Sequence, residues 1–264
     1  MATIAITGSA SGIGAATRAM LEADGHQIVG IDLRDAEIVA DLSTDEGRDH
    51  AVTATLERCD GSLGGLVTAA GISSPLPSEL ILSVNYFGSV ALLDGLRPAL
   101  AAAGQSQVVQ IGSNSTTVTP NIPQAIVDAL LANDELEARR HLAEVAAPFD
   151  SSIAYAATKT AVSRWCRRHA PTEAWVKSGI RLNVLAPGMV QTPLLQAGID
   201  DDTYGPLMEQ FPVPTGKAQP DDIAAWIVFM LSPQARFACG SVVFVDGGSD
   251  ALIRSDDWPA SFSL

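Results

Sequence analysis

The chain has 264 residues, of which 47% are hydrophobic and 17% charged. It can bury a sizeable core, and we expect a single domain over residues 1–264. Its formal net charge of −14 would repel phosphate backbones and anionic lipid surfaces, which argues against nucleic acid and membranes as partners. The scattered cysteines and histidines predict no metal site. Because no basic and apolar leader opens the chain, we expect a cytoplasmic protein.

A glycine-rich turn follows the first predicted strand. Residues 4–6 are a short apolar run, and the turn after them carries Gly8, Gly12 and Gly14 before a helical run begins. Residues without a Cβ let the backbone approach a pyrophosphate, whose charge then faces the N-terminus of the helix. Strand, turn and helix together predict a dinucleotide site, although many glycine-rich turns are only turns.

The second predicted strand, 27–31, is followed directly by Asp32. A carboxylate at this position can accept hydrogen bonds from both ribose hydroxyls of an adenosine, and it would repel a 2′-phosphate. This pattern favours NAD over NADP as the cofactor. Arg34 is a single basic residue close enough to help a phosphate, but we expect Asp32 to dominate; the alternative is an ordinary loop carboxylate.

Strands and helices continue to alternate along the first half of the chain. Short apolar strands predicted at 38–40 and 63–69 flank a helix over 44–59. Repeated β-α-β units predict an α/β fold with a doubly wound parallel sheet and helices on both faces. A further helix over 81–100 carries Asn85, which needs hydrogen-bond partners if buried, or else caps or bends the helix.

Two serines follow the fifth predicted strand, 107–111. Ser113 and Ser115 are predicted at the carboxyl edge of the sheet, where ligands of such sheets bind, although serine is also a common turn former. The tract 116–152, which is rich in Ala, Leu and Glu, is then predicted to be an insert. Its two predicted helical pieces are 125–131 and 135–147.

Tyr155 and Lys159 lie four residues apart in a predicted helix over 152–169. This spacing places both side chains on one face of the helix, one turn apart. A lysine ammonium beside a phenol favours the phenolate, so we expect Lys159 to lower the pKa of Tyr155 and the pair to transfer protons. The alternative is a half-buried aromatic residue beside a solvated amine.

The strand predicted over 180–185 is followed by an unusually apolar loop, 189–215. Ordinary loops are more polar, so this segment is either a lid over a substrate or a helix packed on the core. A helix and a final strand follow it. The tail carries Trp258 and Phe262, apolar side chains that need a covering surface.

In combination, these motifs resemble the short-chain dehydrogenase/reductase family over nearly the whole chain. That resemblance implies a Rossmann-type sheet and hydride transfer between a secondary alcohol and a ketone. One departure is Ala69, where the family often has asparagine. Within the family the chain is most similar to the bacterial 3α-hydroxysteroid dehydrogenase/carbonyl reductase group. The stretches that carry this closer similarity are 12–18, 25–32, 40–44, 83–88 and 192–198. The residues that match the family as a whole are Thr7, Gly8, Gly12, Gly14, Asp32, Asp41, Ala69 to Gly71, Asn85, Ser113, Tyr155, Lys159, Pro187, Gly188 and Thr192.

The resemblance also implies the role of each catalytic residue. Tyr155 would be the general acid and base, and Lys159 would lower its pKa and hold the nicotinamide ribose. Ser113 would bind the substrate oxygen, and Asn85 would bind a water that links Lys159 to solvent. Thr192 would hold the carboxamide of the cofactor.

Two sets of binding residues are predicted around these groups. The residues expected to bind NAD are Gly8, Ser11, Gly12, Ile13, Gly14, Asp32, Leu33, Asp41, Leu42, Ala69, Ala70, Gly71, Tyr155, Lys159, Pro187, Gly188, Val190 and Thr192. The residues expected to line the substrate pocket are Ser115, Met189, Leu194, Leu195 and Met208. No metal is expected.

The insert also bears on assembly. Tetramers of the resembled family commonly use two long helices, here 81–100 and 152–169, and the insert could cover them. We therefore expect a homodimer through another face, or a tetramer built differently. The substrate implied is a steroid or another carbonyl compound. A different bulky or aryl secondary alcohol is one alternative, and a non-catalytic NAD(H)-binding sensor is another that the intact catalytic set disfavours.

Overall fold

The fold is built on one sheet, seen in a computed structural model that describes residues 1–257. Trp258 and Phe262 lie outside the described residues. All neighbouring strands pair in parallel. The strands are β1 (Thr3–Thr7), β2 (Gln27–Asp32), β3 (Ile38–Val39), β4 (Gly65–Thr68), β5 (Ser106–Ile111), β6 (Ile180–Pro187) and β7 (Val242–Val245). Their order, β3-β2-β1-β4-β5-β6-β7, confirms the predicted doubly wound sheet.

The direction of winding reverses between β1 and β4, which places a crevice at the carboxyl ends of these strands. Strand residues are buried on both faces, as in Ala5 and Ile6, because helices cover the sheet on either side. One apolar core lies beneath α1 (Gly12–Ala23) and α11 (Pro220–Leu231). The other core is larger and contains residues of the helices on the opposite face.

The larger core is covered by the long helices of the fold and by the insert. The remaining helices are α2 (Asp45–Arg58), α3 (Ser78–Leu82), α4 (Ser89–Ala102), α5 (Ser115–Val118), α6 (Gln124–Leu131), α7 (Glu135–Leu142), α8 (Asp150–His169), α9 (Pro193–Ile199), α10 (Gly205–Gln210) and α12 (Ser249–Ile253), with short π-helical segments at Ser83–Gly88 and Glu173–Lys177 and a 3-10 turn at Pro233–Ala235.

The helix predicted over 81–100 begins earlier and is interrupted. It starts at Ser78, passes through the π-helical segment Ser83–Gly88, and continues to Ala102. By length and composition, Ser78–Ala102 is the one helix among residues 1–257 that could span a membrane. However, 67% of its most apolar window is buried inside the protein, so it is a core helix of the fold.

The insert and the apolar loop both contain helices. The insert forms α5, α6 and α7, and α7 ends at Leu142, so the predicted piece 135–147 is too long. Pro148 disfavours a helical conformation at the residue before it, which limits any extension of this helix. The segment 189–215 contains the helices α9 and α10, and residues of both line a cavity at the carboxyl ends of the strands, so its role as a lid stays a prediction.

Candidate functional site

A cavity of about 640 Å³ opens at the carboxyl ends of the strands. It is lined by every residue that the sequence predicts to bind cofactor or substrate, and by Ser113, Tyr155 and Lys159. Asn85 is the one predicted site residue that does not line it. The crevice predicted from strand order and the residues predicted from motifs therefore coincide.

The glycine-rich turn is packed so closely at Gly8 and Gly14 that neither position tolerates a side chain. Gly8 and Gly12 have φ angles of +68° and +52°, in the left-handed region that favours glycine. A Cβ on Gly14 would lie 2.0 Å from the Gly8 carbonyl oxygen, and one on Gly8 would lie 2.8 Å from the Ala70 nitrogen. The bare backbone leads into the N-terminus of α1 at the cavity wall. This cradle fits the pyrophosphate of a dinucleotide.

Asp32 lies at the end of β2 with its carboxylate held by two backbone groups. Oδ2 accepts a hydrogen bond from the Ala10 nitrogen at 3.0 Å, and Oδ1 accepts one from the Leu33 nitrogen at 2.7 Å. Arg34 does not line the cavity, and Lys159 is the only lysine or arginine among the described residues that do. The wall near Asp32 is therefore acidic, as the sequence predicts.

Ser113, Tyr155 and Lys159 meet where β5 ends against α8. A side-chain hydrogen bond joins Ser113 and Tyr155, and the Ser113 Oγ accepts a further bond from the Ser115 nitrogen at 3.1 Å. Lys159 is buried, and its Nζ donates to the Ile111 carbonyl oxygen at 2.9 Å. The same Nζ lies 5.7 Å from the centroid of the Tyr155 ring. The predicted proximity of the three groups is thus present.

The electrostatics of this cluster differ from the sequence expectation. Burial raises the pKa of Tyr155, and the hydrogen bond with Ser113 opposes that rise only in part. Burial lowers the pKa of Lys159 to about 8. Both shifts have one cause, because removal from water disfavours the charged form of either group. With the groups of the protein alone, the pKa of Tyr155 is raised, so the prediction that Lys159 lowers it is wrong.

Asn85 is fully buried in the π-helical segment, behind the cavity wall. Its Oδ1 accepts from the Ile72 nitrogen at 2.9 Å, and its Nδ2 donates to the Ile72 carbonyl oxygen at 2.8 Å. The partners that the sequence required are thus the backbone of a wall residue. The wall is tight there, since a Cβ on Gly71 would lie 3.4 Å from Asn85 Oδ1 and 3.6 Å from Lys159 Nζ. Water binding by Asn85 remains a prediction.

The segment 189–215 closes one side of the cavity and contacts the insert. Thr192 caps α9, its Oγ1 accepting from the Leu195 nitrogen at 3.3 Å. Tyr204 lines the cavity and donates a hydrogen bond from its hydroxyl to the Pro148 carbonyl oxygen. The wall on this side is apolar. Its members include Leu76, Leu80, Val118, Met189, Leu194, Leu195, Met208 and Phe211.

Several wall residues were missed by sequence reasoning. Ile72 and Ser74 follow β4 at the carboxyl edge, so their position was a usable signal, whereas nothing in the local pattern marks Tyr204. The hydroxyls of Ser74 and Ser115 are buried and have no hydrogen-bond partner among the described residues.

Comparison with known proteins places this architecture among dehydrogenases. A family model described as enoyl-(acyl carrier protein) reductase matches residues 140–250. The 3-alpha-hydroxysteroid dehydrogenase/carbonyl reductase of Comamonas testosteroni is 44% identical over 257 residues, 96% of this chain and 98% of that protein. The coniferyl-alcohol dehydrogenase of a Pseudomonas species is 30% identical over 93% of this chain and 95% of that one.

A solved structure shows the same similarity in three dimensions. The 3-alpha-hydroxysteroid dehydrogenase from Pseudomonas sp. B-0831, complexed with NADH, superposes with a TM-score of 0.91 at 46% identity. The match covers 97% of this chain and 100% of that one. The similarity therefore extends through the insert and the segment 189–215 as well as the sheet.

Proposed function

The chain belongs to the short-chain dehydrogenase/reductase family, and we propose that it is an NAD(H)-dependent oxidoreductase that interconverts a bulky secondary alcohol, in the first place a 3α-hydroxysteroid, with its ketone. The observation that carries this proposal is the cluster of Ser113, Tyr155 and Lys159 at the cavity wall. A phenol and a hydroxyl joined by a hydrogen bond can hold one carbonyl oxygen between them, which is the atom that gains or loses the proton.

The residues around the cavity fit a dinucleotide. The glycine-rich turn and the N-terminus of α1 would hold the pyrophosphate, and Asp32 would hold the adenosine ribose. Lys159 would hold the nicotinamide ribose, and Thr192 the carboxamide. When bound, the nicotinamide ring supplies or accepts the hydride. Two features favour NAD over NADP: the carboxylate of Asp32, and the absence of any lysine or arginine other than Lys159 among the described lining residues.

Residues of the protein donate and accept the proton. In reduction, the Tyr155 hydroxyl protonates the oxygen of the ketone as the alcohol forms. Ser113 orients that oxygen and stabilises the negative charge that develops on it. In oxidation the same phenol removes the hydroxyl proton. Lys159 supplies a positive charge close to the Tyr155 ring in both directions.

The apolar wall supports a large, apolar substrate. The side chains of 189–215 and of the loop after β4 give a surface suited to fused rings. The similarity to the Comamonas enzyme supports a 3α-hydroxysteroid. The similarity to coniferyl-alcohol dehydrogenase supports an aryl alcohol as the alternative substrate.

A substrate panel followed by the absorbance of NADH tests the proposal. The panel contains 3-ketosteroids, aryl ketones and small aliphatic ketones, with NADH and NADPH compared for each. We expect the highest kcat/KM for a 3-ketosteroid with NADH. A higher value for an aryl ketone would transfer the assignment to the alternative substrate. No turnover of any ketone, with NADH bound, would favour a non-catalytic sensor.

The assembly we propose is a cytoplasmic homodimer that associates through α11. Trp226 and Phe229 are 44% and 50% exposed on that helix, whereas the insert packs against α8 through Gln124 and Arg164, which share a hydrogen bond of 3.0 Å. Size-exclusion chromatography with light scattering should give a dimer that Trp226→Glu converts to a monomer. The control, Leu136→Glu on the insert, should remain dimeric; a wild-type tetramer would contradict the proposal.

A further inference from the structure

Arg48 of α2 is buried beneath the cavity wall and uses every edge of its guanidinium. Its Nε donates to the Leu42 carbonyl oxygen at 2.9 Å, and its Nη2 donates to the carbonyl oxygens of Ser43 at 3.3 Å and Ser83 at 3.0 Å. The ring of Phe87 covers one face, with its centroid 5.6 Å from the guanidinium carbon. A buried cation in such a position requires a carboxylate.

Glu135, the first residue of α7 in the insert, supplies the less exposed of two carboxylates. Its Oε2 accepts from Arg48 Nη1 at 3.4 Å, while Asp45 accepts from the same nitrogen at 2.9 Å. The Asp45 side chain is 90% exposed and that of Glu135 only 25%. Because exposed ion pairs are weakened by water and salt, Glu135 is the carboxylate that stabilises the buried guanidinium more.

Further bonds hold the Glu135 carboxylate in place. Oε1 accepts from Ser83 Oγ at 2.5 Å and from Arg139 Nη2 at 2.8 Å. Burial acts to raise the pKa of Glu135, but the bonds from Ser83 and Arg139 and the charge of Arg48 outweigh it, so the pKa is lowered. Glu135 is therefore an anion with an arginine on either side.

The backbone that Arg48 holds is part of the proposed adenosine site. Leu42 and Ser43 line the cavity in the loop after β3. The same loop begins at Ala40, whose nitrogen donates to the Asp32 carbonyl oxygen at 2.9 Å. The insert is thus connected through one guanidinium to the wall beside the ribose-binding carboxylate, although Glu135 itself does not line the cavity.

We propose that Glu135 is a positioning residue for the dinucleotide: it fixes Arg48, which in turn fixes the 42–43 backbone against which the adenosine binds. This inference rests on the proposed function. The insert would then contribute to cofactor affinity as well as to the shape of the substrate pocket. Its effect should fall on the binding of NADH and spare the chemical step, because Ser113, Tyr155 and Lys159 lie after β5 and on α8, outside the segments that Arg48 holds.

Glu135→Gln tests the proposal with little change of volume. Whichever way the amide is placed, its NH₂ group faces Arg48 or Arg139, so one of these arginines loses the oxygen that it donates to on residue 135. The matched control is Glu137→Gln in the same helix, since the ion-pair partners of Glu137 among the described residues are Arg140 and His141, outside the Arg48 cluster. We expect Glu135→Gln to raise the Kd for NADH about fivefold, the size of effect that energetic coupling between a distant residue and a ligand site produces. Glu137→Gln should leave the Kd unchanged.

Three measurements separate positioning from general destabilisation. The Kd for NADH is measured by fluorescence titration, the inhibition constant of AMP by steady-state kinetics, and kcat at saturating NADH. In Glu135→Gln the two binding constants should rise by the same factor, with kcat within about twofold of wild type. A fall in kcat that matches the rise in KM, or equal NADH affinities in the two glutamine variants, would overturn the inference.

A second variant covers the case in which Glu135→Gln does not fold. Ser83→Ala removes the bond that Ser83 Oγ donates to Glu135 Oε1 and the bond that it accepts from Arg139 Nη2, without changing any charge. It should also raise the Kd for NADH, by about twofold. An unchanged Kd in folded Ser83→Ala would then reject the proposal. If wild-type protein binds no NADH, the proposed function fails and this inference falls with it; normal wild-type binding with unaffected variants rejects the inference alone.

Discussion

Replacement of Tyr155 by phenylalanine separates the chemical role of the phenol from its structural role. The change removes one hydroxyl, which shares a hydrogen bond with Ser113, and leaves the ring in place. General acid–base catalysis by a positioned side chain contributes about 10²–10⁴-fold. We therefore expect kcat for ketone reduction to fall at least about a hundredfold, a rise in the activation barrier of about 3 kcal/mol or more.

The effect on stability should be much smaller than the effect on the barrier. The variant loses one hydrogen bond, which contributes about 1 kcal/mol to the free energy of unfolding. For a chain of this length that corresponds to a change in Tm of about 2–4 °C. NADH binding should be retained, because the phenol hydroxyl is not among the groups expected to hold the pyrophosphate or the adenosine.

Tyr204→Phe is the matched control. Tyr204 also lines the cavity, and its hydroxyl also makes one hydrogen bond, to the Pro148 carbonyl oxygen. Both variants and the wild type are assayed at saturating NADH and ketone, with Tm and the Kd for NADH measured on the same preparations. Near-normal turnover in Tyr155→Phe, or an equal loss in Tyr204→Phe, would refute the assignment of Tyr155 as the general acid.

Three further predictions concern the cofactor site and the buried lysine. Asp32→Ala should lower the preference for NADH over NADPH, as a ratio of kcat/KM values, by about tenfold or more; a wild type that prefers NADPH would contradict this. Gly14→Ala places a Cβ 2.0 Å from the Gly8 oxygen, so calorimetry should show NADH binding weakened about a hundredfold, and wild-type affinity in the folded variant would disprove the cradle. Burial lowers the pKa of Lys159 to about 8, so the unfolded state binds more protons than the folded state above that pH. Urea unfolding should therefore show the free energy of unfolding of the wild type rising by about 1–2 kcal/mol relative to that of Lys159→Met between about pH 7.5 and about pH 9.5. The same dependence of this free energy on pH in both proteins would contradict the prediction.

The convergence of the candidate site residues could be predicted because each residue carries a local signal. Gly14 belongs to a turn between a strand and a helix, and Asp32 ends the next strand. Tyr155 and Lys159 share a helical face by spacing alone. Since the carboxyl ends of parallel strands meet at one edge, these local signals also predict that the residues converge, and the cavity confirms it.

The interactions that were missed join residues far apart in the chain. Glu135 and Arg48 are separated by 87 positions and Tyr204 and Pro148 by 56, and hydrophobic periodicity contains no information about such pairs. The π-helical segment around Asn85 was missed for another reason. Its residues suit an ordinary helix, and the wider turn follows from packing and from the bonds between Asn85 and Ile72.

The electrostatics of the catalytic cluster favour one direction of proton transfer. Since burial raises the pKa of Tyr155, the chain's own residues keep the phenol protonated at neutral pH, which is the state that reduction of a ketone requires. Lys159, with a pKa of about 8, is mostly charged at pH 7. Its Nζ donates a hydrogen bond to the Ile111 carbonyl oxygen. In the proposed mechanism, oxidation would need the phenolate, which the positive charge of a bound oxidised nicotinamide would favour. Reduction has no such requirement, so its rate should be the less sensitive of the two to pH around neutrality.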